Sequence, residues 1–284
     1  MASALRFMDF ILNSVQKDVT YSGFHGYHDH HGQALNMPVT EQKYMIGVEL
    51  ETVFPSAGER RSWCNACKSN WFYMEEDGSL PSAGCEFITT PLAPRDAKNP
   101  DMWKTLIKAL REANVRSYGT SSTGLHVHIS RTIFGSDVNA VGRLVYMYYY
   151  VLDPETRRKI FGRSNADYAR DLDKSRAPKT SAVNTLKVAL KYKEVRDEIA
   201  KELCDVSTRN RYYSINLQNT NTVEFRQGKG TVNNVRIAAI CEFAEAMCLY
   251  VKRNADLSRY TEADFLATLA PEGVCKSFYL NNEQ

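Results

Sequence analysis

Apolar and polar residues alternate along three segments of this chain: Ile46–Glu51, Leu125–Ser130 and Thr222–Arg226. A period of two residues is typical of a β-strand, in which successive side chains point to opposite faces of the sheet. In all three segments one face is aliphatic or aromatic and the other carries carboxylate, imidazole or guanidinium groups. The pattern therefore predicts three strands that each have an apolar face and a charged or polar face.

The rest of the chain contains further predicted strands and several helices. The first alternating strand extends over about residues 43–54, and the additional strands are Trp71–Glu75, Gly84–Thr90 and Arg211–Leu217. Apolar residues at helical spacing predict helices over residues 3–18, 101–113, 137–152, 191–204, 234–253 and 262–269. Residues 55–70 are predicted to form a loop, and residues 153–190 short helices and loops.

The order of these elements indicates an α+β fold. The strands are grouped in hairpins, across Asp77-Gly78-Ser79 and across residues 218–221, and helices interrupt the groups without regular β-α alternation. This order favours a largely antiparallel sheet with flanking helices. Residues 19–42 show no regular period, so we divide the chain into an N-terminal helix with a His-rich irregular segment (1–43) and one larger domain (44–284).

Composition excludes several classes of protein. The 284 residues carry a formal net charge of +3, too little for an electrostatic nucleic-acid binder. No window of about 18 uninterrupted apolar residues is present, so we expect no membrane partner. The seven cysteines are an odd number, irregularly spaced, in a chain long enough to fold without disulfides. We therefore expect reduced thiols and a cytoplasmic location.

The polar faces of the three strands carry the candidate chemistry. Glu49 and Glu51 share the first strand, His126 and His128 the second, and Glu224 and Arg226 the third; each pair taken alone is compatible with a solvated sheet face. Together they are unusual, because neighbouring carboxylates repel one another unless a cation lies between them. Carboxylates with one imidazole suit Mg²⁺ or Mn²⁺. An arginine beside such a carboxylate suits a phosphate oxygen. The combination predicts a sheet face that binds a divalent metal and a polyphosphate.

Two further residues are candidates for the same face. Glu86 lies on a short predicted strand whose Cys85 and Phe87 are expected to face the core. Arg211 opens the strand that precedes Glu224, so it can reach the rim of that face; the alternative is an ordinary surface arginine.

An ordered set of motifs resembles the putative amidoligase family, which belongs to the carboxylate–amine ligase superfamily with glutamine synthetase and glutamate–cysteine ligase. The resemblance extends over about residues 44–240. Its motifs are Gly-Val-Glu-Leu-Glu (47–51), Asp-Gly-Ser-Leu to Gly-Cys-Glu (77–86), Thr-Pro-Leu (90–92), Gly-Leu-His-Val-His-Ile-Ser (124–130), Arg-Tyr-Tyr-Ser-Ile-Asn (211–216) and Thr-Val-Glu-Phe-Arg (222–226).

The resemblance implies a role for each candidate residue. The metal ligands that it implies are Glu49, Glu51, Glu86, His126 and Glu224. It also implies that His126 touches a metal or a nucleotide phosphate, with His128 beside it as a catalytic residue. Arg226 corresponds to the arginine on the transferring phosphate, and Arg211 to a rim arginine that holds a phosphate or the substrate carboxylate. The implied fold is a curved, largely antiparallel sheet like that of glutamine synthetase, with the active site on its concave face.

The implied activity is ATP-dependent amide-bond formation with Mg²⁺, or Mn²⁺, as the metal. ATP would convert a carboxylate into an acyl phosphate, from which an amine would displace phosphate. The substrates would be a carboxylate and the amine of an amino acid, peptide or protein. Members of the family are often encoded by phages and mobile elements, which implies a phage or bacterial protein, in the host cytoplasm if phage-encoded. Two alternatives stay open: a metal-dependent hydrolase built on His126, His128 and the glutamates, and a non-catalytic structural or regulatory relative.

Three features have simpler interpretations. Cys64 and Cys67 form a lone Cys-x-x-Cys, whereas a zinc site needs about four ligands, so core thiols are favoured. The histidines of residues 25–31 are best explained by a solvated loop, although a role covering the active site stays open. The tyrosine run Tyr146–Tyr150 is predicted to pack against the sheet.

Overall fold

The structure is a computed structural model that describes residues 21–22, 24, 44–119, 122–164, 169–172 and 193–277. The predicted helix 3–18 and the histidines of 25–31 lie outside the described residues. The strands are β1 (Tyr21–Ser22), β2 (Ile46–Val53), β3 (Lys68–Ser69), β4 (Phe72–Glu75), β5 (Gly84–Thr89), β6 (Gly124–Ser130), β7 (Ile215–Asn216) and β8 (Thr222–Lys229). The α-helices are α1 (Ala57–Ala66), α2 (Pro94–Ala97), α3 (Pro100–Glu112), α4 (Ala140–Tyr146), α5 (Pro154–Phe161), α6 (Lys193–Ser207), α7 (Asn234–Arg253) and α8 (Glu262–Ala267).

The sheet confirms the predicted α+β class. Six strands follow one another in the order β4-β5-β2-β6-β8-β7, and β1 pairs separately with β3. The pairs β2–β5, β4–β5 and β7–β8 are antiparallel, and β4–β5 and β7–β8 are the two predicted hairpins. Among the described residues, no helix has the length and apolar character needed to cross a membrane.

The chain divides into two compact units, and strands β6 and β8 contribute residues to each. The first unit contains the residues up to Val127 together with Gly228–Cys241. Its core is aromatic: Trp71 meets Trp103 of α3 edge-on, and Phe87 of β5 lies between Trp63 of α1 and Phe72 of β4. Through these contacts α1 and α3 pack against the apolar face of the sheet at β4 and β5.

The second unit contains His128–Gln227 and the residues from Glu242 onward. Phe161 at the end of α5 packs on Phe225 of β8 and on Phe243 of α7. Helices α4 and α6 approach each other closely at Gly142, where an added Cβ atom would lie 1.7 Å from the carbonyl oxygen of Ala200. Only glycine allows the two backbones this separation.

The prediction of a loop over residues 55–70 is wrong, because α1 and β3 both fall within it. Helix α1 begins at a capping box: the Ser56 hydroxyl accepts a hydrogen bond from the Glu59 amide at 3.1 Å and donates to the Glu59 carboxylate at 2.8 Å. The Ser-x-x-Glu spacing was readable in the sequence. The polar composition of the segment concealed the helix, since only Trp63 and Cys64 are buried along it.

The predicted helix 137–152 begins later and changes its winding. Helix α4 starts at Ala140, and residues Met147–Val151 form a π-helical turn. This turn brings two consecutive tyrosines to the strands: the Tyr149 hydroxyl accepts a hydrogen bond from the Ile215 amide at 3.0 Å, and the Tyr148 ring packs on Phe225. The prediction that the tyrosine run packs against the sheet is confirmed for these two residues.

Two other predicted elements differ in extent. The strand expected over Arg211–Leu217 is limited to Ile215–Asn216, and Arg211 lies in the turn that precedes it. The short helix α2, which begins at Pro94, follows β5 where only an ending of the strand was predicted. Proline is favoured in the first turn of a helix because its fixed φ is already helical and its missing N–H is not needed there.

Candidate active site

Most of the charged residues on the predicted strands are buried, and Glu49 and His128 are half-buried, which separates these faces from ordinary solvated sheet faces. The relative exposures are 7% for Glu51, 8% for Glu86, 4% for His126, 4% for Glu224 and 8% for Arg226. Ionisable groups are very rarely buried to this extent unless they are paired or bind a cation. The eight predicted site residues divide between the two units, and each set is described by itself.

In the first unit, a carboxylate–imidazole cluster is formed by three adjacent strands. Glu49 and Glu51 lie on β2, Glu86 on β5 and His126 on β6. The register places Glu51 directly opposite Glu86, so these two side chains share a face. The His126 ring lies between the two β2 carboxylates: Nδ1 is 3.0 Å from Glu49 Oε2, and Nε2 is 3.8 Å from Glu51 Oε1.

The geometry of this cluster fits a divalent cation. One ligand atom each from Glu49, Glu86 and His126 lies within 4.8 Å of the other two. Two carboxylate oxygens with one imidazole nitrogen suit Mg²⁺ or Mn²⁺ better than a soft metal. The structure therefore brings together four of the predicted metal ligands, counting Glu51 beside this set of three.

The electrostatics of the cluster also favour a cation. Burial raises the pKa of Glu86 well above its ordinary value, and the negative charges of Glu49, Glu51, Asp77 and Glu75 raise it further. Carboxylates this close cannot all ionise without a compensating charge, which a bound divalent metal would supply.

Glu75 was not predicted as a site residue. It lies on β4 opposite Glu86 and is 1% exposed, so Glu51, Glu86 and Glu75 form a row across three neighbouring strands. The hairpin predicted across Asp77-Gly78-Ser79 contained the signal, because antiparallel register around that turn sets Glu75 near Glu86.

The backbone fixes the orientation of Glu51. The Gly124 amide donates a hydrogen bond to Glu51 Oε2, and the buried Ser117 hydroxyl donates to the Glu51 carbonyl oxygen at 2.7 Å. A carboxylate held in this way keeps one oxygen occupied and presents the other, Oε1, toward His126. These contacts are formed as the chain enters β6, and residue types alone gave no sign of them.

In the second unit, Glu224 and Arg226 lie two residues apart on the same face of β8. The Arg226 guanidinium donates to Glu224 Oε1, and His128 Nε2 lies 3.8 Å from the same oxygen. The other carboxylate oxygen accepts a hydrogen bond from Asn216 Nδ2 at 2.6 Å. The structure thus brings together three of the predicted residues, and it adds Asn216, which sequence reasoning missed.

Asn216 is placed by hairpin register, which aligns it with Glu224 across β7 and β8. Its own Oδ1 accepts from the Gln218 amide at 3.0 Å, which fixes the amide plane and directs Nδ2 at the carboxylate. The sequence motif that ends at Asn216 was visible, but its register with Thr222–Arg226 depended on the length of the turn.

Arg163 supports the strand that carries Arg226. Its guanidinium donates to the carbonyl oxygens of Arg226 and Gln227, both at 3.0 Å. The Gln227 side chain in turn donates a hydrogen bond to the Arg163 carbonyl oxygen at 3.0 Å and accepts one from the Tyr148 hydroxyl. The backbone at Arg226 is therefore held in place by Arg163.

The described contacts do not bring the predicted site residue Arg211 together with Glu224. It is exposed, and its guanidinium lies 5.6 Å from the centroid of the Tyr212 ring. Its predicted role at the rim of the site stays a prediction.

Cys64 and Cys67 lie at the end of α1 with both side chains buried. Cys64 Sγ is 4.0 Å from Cys85 Sγ, and burial, with the nearby Cys64, raises the pKa of Cys67 to about 12. The Cys67 thiol therefore stays protonated, and the burial of both cysteines favours a packing role. Among the residues that the structure describes, no compact group of three candidate metal ligands includes a cysteine.

Comparison with known proteins identifies the family of this chain. The family model described as "putative amidoligase enzyme" matches residues 59–248, about two thirds of the chain. The chain therefore belongs to the putative amidoligase family, as its motifs predicted. The comparison with curated proteins gave no match.

The match covers some of the site residues and not others. Glu86, His126, His128, Glu224 and Arg226 all fall within it. Glu49 and Glu51 precede residue 59, so their place in the site rests on the geometry of β2 and not on the family match.

Proposed function

We propose that this protein is an ATP-dependent carboxylate–amine ligase. Membership of the putative amidoligase family supports amide-bond formation in general. The observation that carries the finer proposal is the cluster of half-buried Glu49 with buried Glu86 and His126, whose ligand atoms lie within 4.8 Å of one another. Its hard oxygen donors fit Mg²⁺, the cation that usually accompanies ATP.

Chemistry explains why such an enzyme needs a metal, a nucleotide and cationic side chains. A carboxylate does not react with an amine at neutral pH until one of its oxygens becomes a leaving group. In the proposed reaction a carboxylate oxygen attacks the γ-phosphorus of ATP and ADP leaves; the amine then attacks the acyl phosphate and inorganic phosphate leaves. The metal, when bound, neutralises charge on the phosphate oxygens.

The residues of the chain have separate parts in this proposal. In the first unit, Glu49, Glu51, Glu86 and His126 are proposed to hold the metal, and in the second unit Glu224 is proposed as a metal ligand. Arg226 donates to the oxygens of the transferring phosphate, where the loss of one such donor typically costs about 10²–10³ in rate. His128 and Arg211 are proposed to contact substrate or phosphate. Glutamine synthetase-like topology is part of the same proposal.

Arg226 and Glu224 are paired in this structure, and the pairing suits a role in phosphate binding. A guanidinium held by a carboxylate keeps its orientation before the phosphate arrives, so less side-chain entropy is lost on binding. Asn216 and Arg163 hold the carboxylate and the backbone of this pair in place.

The test is a calorimetric titration with ATP and Mg²⁺ or Mn²⁺, followed by phosphate release against a panel of amino acids and peptides. Glu49→Ala should lose metal-dependent ATP binding, and Arg226→Ala should lose turnover together with much of the ATP affinity. Matched controls are Glu112→Ala and Arg158→Ala, which remove a glutamate and an arginine from exposed ion pairs.

The outcomes separate the alternatives. ATP binding that both site variants lose and both controls keep would support the ligase. A folded wild-type protein that binds Mn²⁺ but not ATP would contradict the ligase proposal and favour a metal-dependent hydrolase. A folded protein that binds neither would favour a non-catalytic relative.

A further inference from the structure

An exposed aromatic ring flanked by two cations lies on the first unit. Tyr118 is 58% exposed, which is unusual for so large an aromatic side chain. Lys229 Nζ lies 4.0 Å from the centroid of its ring, and the Arg236 guanidinium carbon lies 5.9 Å from it. The two cations come from the end of β8 and the first turn of α7. We name Tyr118, Lys229 and Arg236 the Tyr118 patch.

The chain around Tyr118 is firmly held although the ring is exposed. Arg116 exchanges two backbone hydrogen bonds with Val53 at the end of β2, at 2.7 and 2.9 Å. Ser117 is fully buried and binds the Glu51 carbonyl oxygen. A tyrosine directly after such anchors is presented to solvent by a fixed backbone, as a pre-formed binding surface requires.

The same anchors connect the patch to the carboxylate–imidazole cluster. Ser117 binds the backbone of Glu51, and the Gly124 amide, on the other side of residues 118–123, binds its side chain. Gly230 packs against Ser117 and Thr123, since an added Cβ atom there would lie 2.3 Å from Ser117 Oγ and 2.7 Å from Thr123 Oγ1. Ser117, which adjoins Tyr118 in the chain, thus also contacts the candidate metal ligand Glu51, and both residues belong to the first unit.

The chemistry of the patch defines the class of ligand. A tyrosine ring with a cation against it and much of its surface in solvent can stack on a planar π-system, and the cations attract negative charge. A nucleoside triphosphate combines a planar base with a polyanion that binds divalent metal. We infer that the Tyr118 patch is the base-binding subsite for the nucleotide whose metal the Glu49–Glu86–His126 cluster holds. This inference rests on the proposed function.

The experiment measures binding of three probes to the full chain by calorimetry: Mg²⁺-ATP, Mg²⁺ with inorganic tripolyphosphate, and Mn²⁺ alone. The variants are Tyr118→Ala, which removes the ring, and Tyr118→Phe, which keeps it. The comparison variant is Tyr212→Ala, because Tyr212 is an exposed tyrosine in the second unit that also faces an arginine.

We expect Tyr118→Ala to weaken ATP binding by about 5- to 100-fold, the range typical of one lost base–aromatic stack. Tyr118→Phe and Tyr212→Ala should stay within about twofold of wild type, as is usual for surface changes that remove no binding contact. Tripolyphosphate and Mn²⁺ should bind equally to wild type and Tyr118→Ala, since neither probe has a base to stack. Unfolding temperature is expected to be unchanged, because the ring is exposed.

Three results would overturn the inference. ATP affinity could be unaffected by Tyr118→Ala, or reduced by Tyr212→Ala in its place. Tripolyphosphate binding could fall as much as ATP binding, which would make the patch a general anion site for phosphate or an acidic partner. Wild-type protein that binds Mn²⁺ but not ATP would instead contradict the proposed function itself, so the two failures are distinguishable.

Discussion

The carboxylate of Glu224 is shared by three side chains, and each contact limits its freedom in a different way. Arg226 and His128 approach one oxygen, whereas Asn216 donates to the other. An amide that donates to a ligand carboxylate typically orients it and adjusts its basicity. In the proposed reaction Asn216 is therefore a positioning residue, which acts through Glu224.

Asn216→Ala should lower kcat/KM for ATP turnover by about 10- to 100-fold, the usual effect of losing such a support. The physical reason is that Glu224 loses its orientation while keeping its charge. Steady-state phosphate release measures the effect, with thermal unfolding as a check on the fold. Asn219→Ala is the matched control, because Asn219 forms a similar turn contact on the exposed tip of the hairpin. Unchanged turnover in a folded Asn216→Ala protein would remove Asn216 from the site.

A second residue-scale prediction concerns stability and pH. Burial acts to raise the pKa of Asp137, but its hydrogen bonds and charge interaction with Arg143 outweigh this and hold the pKa below the ordinary value of 3.8. A lowered folded-state pKa means that the ionised carboxylate stabilises the folded chain above about pH 4, and that this stabilisation is lost as the pH falls. Arg143 is buried, so it depends on this partner.

Asp137→Asn should therefore lower the unfolding temperature at pH 7 and have a much smaller effect at pH 3, where wild-type Asp137 is increasingly protonated. Thermal unfolding at the two pH values measures the difference. Glu112→Gln, in an exposed pair with Lys108, should change little at either pH. An equal loss at both pH values would show that the ion pair is not the cause.

At the scale of elements, backbone approach decides where glycine is needed. Gly142 lies in α4, where alanine would ordinarily be the better helix former. Its Cβ atom would nevertheless overlap the Ala200 carbonyl group of α6. Helix propensity and packing thus make opposite demands at this position, and the clash with backbone is the larger effect.

We predict that Gly142→Ala lowers the free energy of unfolding by about 1–3 kcal/mol or more, the usual cost of overpacking. Gly58→Ala in α1 is the matched control, since the nearest atom to its Cβ would be Ser56 Oγ at 3.9 Å. That control should be neutral or gain about 0.4–1 kcal/mol. Denaturant unfolding measures both variants, and a stabilised Gly142→Ala protein would contradict the contact between α4 and α6.

At the scale of the whole molecule, the cysteine thiols are shielded from solvent. Six of the seven cysteines are buried, and Cys204 is half-buried. Burial raises the pKa of Cys67, Cys85, Cys204, Cys248 and Cys275. Since the thiolate is the reactive form, both access and ionisation are restricted in the folded state.

We therefore expect a thiol reagent at pH 8 to modify Cys204 slowly in the native protein and all seven cysteines after unfolding. Mass spectrometry of labelled peptides measures which residues react. Cys204→Ser should remove the native reaction, and fast labelling of Cys64 or Cys85 would contradict their burial.

Much of the fold followed from local patterns in the sequence. Strands β2, β5, β6 and β8 and helix α7 were predicted nearly in full, because period-two alternation and a long apolar helix are strong signals. The loop assignment over 55–70 failed because α1 exposes most of its residues. The π-helical turn at Met147–Val151 was also missed, because it depends on contacts between its tyrosines and strands that are far away in the sequence.

The candidate site was predictable to the extent that its residues shared strands. Pairs such as Glu49 and Glu51 can be read from alternation alone. Glu75 and Asn216 depended on register between strands, which the turn length sets and residue types do not. The burial of the charged faces was not predictable either, because alternation is the same whether the polar face meets solvent or a bound cation.

The hydrogen bond from the Gly124 amide to Glu51 has a consequence for how this protein can vary. Every amino acid except proline brings the same main-chain N–H, so this contact places no demand on which side chain stands at position 124. A substitution that the buried surroundings of position 124 can accommodate would leave the carboxylate held as before. The orientation of Glu51 therefore depends on the path of the backbone and not on the side chain at position 124. We expect no correlated substitutions between positions 51 and 124 among related sequences.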